Sequence, residues 1–161
     1  MGCRVIEGDQ FRTRYEGAPQ LRWIAVEDDP HRLELSFQTE SAKAGDPARF
    51  TTLRFGSVFE FRWIESDVFY LPTNRDDFEF ALIEIIDSEL IEALVSSGAD
   101  ARRPAGQRLG GVLDERRLRH FRIGFDEHGA YDVVCLSVGW REDVKPSVPS
   151  SSPEVFDGQS L

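Results

Sequence analysis

The period of the apolar residues limits the fold more than any other feature of this chain. Leu33, Leu35 and Phe37 alternate with Arg32, Glu34, Ser36 and Gln38; Phe59, Phe61 and Trp63 alternate with Glu60 and Arg62; Phe121, Ile123 and Phe125 alternate with His120 and Arg122. A period of two puts every second side chain on one face, which is the pattern of a half-buried strand and not of a helix. Leu21–Val26, Phe78–Ile86 and Tyr131–Trp140 are apolar on both faces, as expected of strands covered on two sides. Turn residues separate these runs at Asp28-Asp29-Pro30-His31, Pro72–Asp77 and Asp126-Glu127-His128-Gly129. The spacing predicts hairpins over 21–39 and 118–140, a strand over 78–86, and a β-rich stretch over 50–71 that bends at Gly56.

The period changes to that of a helix once. Leu90, Ile91, Leu94 and Val95 form one stripe, Asp87 or Ser88 is placed to cap it, Glu89 sits in the first turn and Gly98 ends it. The expected fold is therefore α+β and mainly β: an antiparallel, strongly curved sheet of about seven strands with one main helix over 88–97 packed on it. With 161 residues the chain can bury a core without a staple, so 1–143 is expected to be a single globular domain. Residues 99–115 form a long connection of little periodicity. Residues 144–161, rich in Pro and Ser, have no means of building a core and are expected to be a disordered tail.

Charge and composition remove several classes of function. The net charge is −10, so the phosphate backbone of a nucleic acid is repelled and a basic protein is attracted. The longest apolar runs are far too short to cross a bilayer. Met1-Gly2-Cys3-Arg4 leads into Glu7, Asp9 and Arg12 with no signal-peptide core, and Ile6 stands where myristoylation needs Ser or Thr. A cytoplasmic protein without a membrane or nucleic-acid partner is expected. Cys3, near a frayed end, and Cys135, within an apolar strand, make no disulfide framework and are expected to be reduced. Of 19 basic residues only Lys43 and Lys145 are Lys, a bias that suggests a GC-rich bacterial genome.

No motif for catalysis emerges. His31, His120 and His128 lack the spacing of a zinc helix, and no nucleophile elbow is present. Gly106-Gln107-Arg108-Leu109-Gly110-Gly111 lacks the Lys-Ser/Thr ending of a phosphate loop. His120 and His128 share a hairpin with Asp126 and Asp132, a cluster that could hold a metal but whose commoner form is a solvated turn. No catalytic, cofactor or metal residue is therefore assigned. Glu84, amid apolar neighbours, either has its pKa raised by burial or pairs with Arg122 or Arg62 across the sheet.

Acidic residues gather at strand ends: Glu27-Asp28-Asp29, Glu65 with Asp67, Asp76-Asp77 with Glu79, and Asp126-Glu127. If these turns share one end of the sheet, they form a rim for a basic partner. The candidate contact residues are Asp28, Asp29, Asp76, Asp77, Asp126 and Glu127. Tyr70, in the apolar run Val68–Leu71, is the candidate aromatic anchor.

The strand ending in Asp87-Ser88-Glu89-Leu90, its short helix and the hairpin from Leu118 to Cys135 resemble the C-terminal part of small bacterial proteins, some of them similar to immunity proteins of polymorphic toxin systems. The resemblance implies a small acidic, non-enzymatic inhibitor that neutralises a basic toxin domain by binding it. Such proteins share a scaffold and vary their contact surface, so no residue role is carried over. A rival expectation, from the residues alone, is a small-molecule-binding or enzymatic β-rich domain with a cavity near Glu84 and His120.

Overall fold

The computed structural model describes residues 2–8, 11–13, 18–26, 29–39, 47–65, 81–102, 117–125 and 128–144. Nine antiparallel strands and one α-helix occur among them, in the order β1 (Gly2–Val5), β2 (Gln20–Val26), β3 (Asp29–Gln38), β4 (Arg49–Gly56), β5 (Glu60–Ile64), β6 (Leu82–Ile86), α1 (Glu89–Ser96), β7 (Arg119–Phe125), β8 (Gly129–Cys135) and β9 (Ser137–Val144). A short 3-10 turn, Ala99–Arg102, follows the helix. The mainly β, antiparallel character and the single main helix agree with the sequence. The single, strongly curved sheet does not: the strands form two sheets, ordered β1-β6-β7-β8-β5 and β2-β3-β4-β9.

The chain changes sheet where the alternation looked continuous. Gly56 ends β4, and Ser57, at φ 52°, turns the chain toward β5 in the other sheet. Leu136 likewise divides the expected Tyr131–Trp140 strand into β8 and β9. The two crossings are tied together, because the Leu136 N–H donates to the Gly56 carbonyl at 3.2 Å and the Phe59 N–H to the Val134 carbonyl at 2.8 Å. One effect is that Val134 faces the helix while Val138 packs into the core between the sheets.

The sheets meet face to face. Directly paired residues of antiparallel strands share a face, so the rows Leu33–Phe55–Val138 and Leu35–Leu53–Trp140 line one inner surface. Phe121, Ile123, Phe125, Val133 and Cys135 line the other. Phe37 meets Phe125 and Phe55 meets Phe121 across the interface, with ring centroids 5.5 and 6.0 Å apart. These fully buried side chains contribute about 1.5–3 kcal/mol each. Cys135 is buried here, as its apolar strand suggested, and Cys3 lies in β1, which pairs with β6 and is not a frayed end.

Helix α1 covers the outer face of the five-stranded sheet. Its stripe of Leu90, Ile91, Leu94 and Val95 packs on Phe59, Leu118, Val134 and Leu136. Ser88 is the N-cap, its Oγ accepting from the Ile91 N–H, while Asp87 takes the left-handed corner at φ 55°. Residues 103–116 and 145–161, which include most of the 99–115 connection and the expected tail, lie outside the described residues; β9 itself extends to Val144.

Candidate functional site

Three features of the described surface bear on function: two polar clusters on opposite faces of the five-stranded sheet, and the end of that sheet where Trp63 is exposed.

The first cluster lies on the core-facing side of β6 near the sheet margin. Register sets Arg4 opposite Glu84, and Arg119 approaches from β7. Arg119 Nε donates to Glu84 Oε1 at 2.7 Å, Arg4 Nη2 donates to Oε2, and the Arg119 guanidinium stands 4.6 Å over the Phe121 ring. The Glu84 side chain is 8% exposed. Its hydrogen bond from Arg119 outweighs the burial that would raise its pKa, and with Arg4 it holds the carboxyl below the usual range. The expected partners Arg122 and Arg62 are thus replaced by Arg119 and Arg4, because Glu84 faces inward whereas Arg122 and Arg62 lie in an outer-face row. An ion pair of this kind keeps Glu84 ionised and unsuited to proton transfer near neutral pH.

The second cluster lies on the outer face beside α1. The cross-strand row Arg62–Asp132–Arg122 runs through β5, β8 and β7. Arg122 clamps Asp132 with both forks, Nε to Oδ1 at 2.5 Å and Nη2 to Oδ2 at 2.6 Å. Burial pushes the Asp132 carboxyl up, but the Arg122 hydrogen bonds and the adjoining His120 more than reverse this and hold it below the ordinary range. His120, which the alternation pointed outward, is on the outer face and is buried there by the helix. Its Nδ1 is 2.7 Å from Ser88 Oγ. Ser88 Oγ also accepts from the Ile91 N–H, so one hydroxyl ties the histidine ring to the helix N-cap. Nε2 lies 3.5 Å from Asp132 Oδ2, too far for a good hydrogen bond, and makes none.

Both carboxylates are tied to guanidinium groups, so acid acts on them with one sign. The unfolded chain, with carboxyls titrating near roughly pH 4, binds their protons before the folded chain does. The stabilisation from Glu84 and Asp132 is therefore complete above that range and lost as pH falls through the lowered folded values. Denaturant unfolding at graded pH should show a decline in stability on acidification, shallower in Glu84→Gln and Asp132→Asn.

The third feature follows from register. Leu82 pairs with Ile123, Phe125 with Gly129 and Ile64 with Ala130, so the starts of β6 and β8 and the ends of β5 and β7 share one end of the sheet. Two of the four acidic groups reach that end through described residues, and a third precedes it in the sequence. Glu65 is exposed there, Phe125 and His128 flank Asp126-Glu127, and Ala81 follows the segment bearing Asp76-Asp77 and Glu79. The β2–β3 hairpin, with Val26 paired to Asp29, is instead near the start of β5, since the Val58 N–H donates to the His31 carbonyl. That puts the described backbone of Asp29 with the start of β5, whereas Glu65 follows the end of the same strand. Asp28, Tyr70, Asp76, Asp77, Asp126 and Glu127 themselves lie outside the described residues, and of Asp29 the backbone is described.

Trp63 supplies an aromatic surface at the same end. Its place in the alternation assigned it to the core, yet it is 56% exposed. It belongs to the inward row with Tyr131 and Ile123, but β5 is the edge strand of its sheet among the described residues. The indole N–H donates to the His128 carbonyl at 2.9 Å, which fixes the ring. The signal that could have identified it is its position one residue from the strand's end, beside Glu65.

Among the described residues, no three His, Cys, Asp or Glu side chains come together as a metal site, and no helix is long and apolar enough to cross a membrane. No protein-family model, curated protein or solved structure matches this chain.

Proposed function

We propose that the chain is a non-enzymatic binding protein, an immunity-type inhibitor that holds a basic toxin domain at the sheet end carrying Trp63 and Glu65. The observation that carries this reading is the common end reached by β5, β6, β7 and β8, with an exposed tryptophan held by His128 close to Glu65 and to the residues that flank Asp126-Glu127 in the sequence. A net charge of −10 steers a basic partner from a distance. An indole locked by its own hydrogen bond then gives contact area at little cost in conformational entropy. The buried charges Glu84 and Asp132 act within the scaffold: each is held by arginine and each orders strands of the same sheet.

The test is capture from host lysate on the immobilised chain, run beside the double variant Trp63→Ala, Glu65→Lys. A basic protein retained by the parent, released as salt rises and lost on the variant is the expected result. Retention of the same proteins by both would refute the assignment of this end.

A further inference from the structure

The outer face of the four-stranded sheet carries a hollow that its register explains. Cross-strand pairing sets Gln20, Ser36, Thr52 and Arg141 in one row across β2, β3, β4 and β9. The adjacent row of Leu35, Leu53 and Trp140 faces the other sheet, so this row faces outward. The two central strands supply short side chains and the two flanking strands long ones, which leaves the middle of the row low. Three strand spacings put the flanking backbones roughly 14 Å apart. Phe50, two residues before Thr52 on β4, walls the hollow, whose volume is about 250 Å³. That lies just under the range of drug-sized pockets and suits a single small ring.

The lining is polar and has no net charge. Arg141 Nε approaches Asp143 Oδ2 at 3.3 Å, with more than half of each side chain exposed. An anion drawn to the arginine therefore meets the carboxylate, and a cation drawn to the carboxylate meets the arginine. Gln20 adds an exposed amide that donates and accepts. Ser36 Oγ lies 2.8 Å from Thr52 Oγ1, and Thr52 is buried while Ser36 is half-buried. If Thr52 donates, Ser36 keeps a hydrogen to give; if Ser36 donates, it keeps a lone pair. A ligand hydroxyl, being both donor and acceptor, answers either orientation.

We propose that this hollow binds a single neutral pyranose, either a free hexose or the terminal unit of a glycan. Its hydroxyls bond Ser36, Gln20 and the Arg141–Asp143 pair, and its apolar C–H face lies against the Phe50 ring. The site is on the opposite sheet from Trp63 and stands independently of the partner-binding reading.

The experiment is a titration of the nitrogen-15-labelled full chain with D-glucose, D-galactose, D-mannose and their methyl glycosides, beside cyclohexanol and uridine. At least one hexose should saturably shift the Gln20 side-chain amide and the Ser36 and Thr52 backbone amides, with cyclohexanol and uridine tenfold weaker or worse. Equal binding of its methyl glycoside would identify a glycan end as the source, and binding of the free sugar alone a free hexose. Ser36→Ala should weaken the sugar about tenfold; Gln20→Ala and Arg141→Ala, at exposed positions where folding is not at stake, should each weaken it about threefold or more. Absence of a saturable shift at these residues with every sugar would overturn the proposal. So would cyclohexanol or uridine binding as tightly as the best sugar, or undiminished binding by both exposed variants.

Discussion

Replacing Gly129 with alanine is expected to cost about 3 kcal/mol or more of stability. Gly129 opens β8 at φ 75°, a conformation in which an L side chain is strained. A Cβ there would run into the Ile64 carbonyl oxygen and come within 3.0 Å of the Trp63 indole nitrogen. The carbonyl belongs to the paired backbone of β5, so it cannot swing aside as a flexible side chain would. The same substitution should loosen the Trp63–His128 hydrogen bond and raise the mobility of the indole. Urea unfolding followed by Trp fluorescence measures both effects, and a loss well under 1 kcal/mol would show that the corner is softer than its geometry implies.

Arg122→Leu is the second large effect, expected at about 3–5 kcal/mol. Asp132 is 5% exposed and receives both of its short hydrogen bonds from Arg122. Without the guanidinium, a buried carboxylate keeps the distant His120 Nε2 and little else. The cost is the stranded charge more than the lost attraction, so removing both partners should restore most of the stability. A double-mutant cycle with Asp132→Leu separates the two. If the double variant proves as unstable as Arg122→Leu alone, the loss comes from the volume and packing of the arginine.

The alternating runs Leu33–Phe37 and Phe121–Phe125 announced their strands, and the stripe Leu90–Val95 announced its helix, because local periodicity records which face is buried. Periodicity does not record which sheet a strand joins. Hence Gly56 read as a bend and Leu136 as mid-strand, while both mark the crossing that makes two sheets. The site was less legible for the same reason. Glu84 was a conspicuous acid, but its partner Arg4 is 80 residues away, on a strand of four residues too short to show a period. Ser88 could be read as a cap, yet its bond to His120 depends on how the helix lies over β7. Trp63 fits the inward alternation, and only the strand order reveals that its strand is an edge among the described residues.

The proposed electrostatic capture of a basic partner at the end bearing Trp63 and Glu65 is read out by the association rate as a function of ionic strength. With the captured partner purified, the rate should fall steeply as salt screens the −10 charge. Glu65→Lys should lower the rate and flatten its salt dependence, while Trp63→Ala should mainly speed dissociation. An association rate indifferent to both salt and Glu65→Lys would contradict the account.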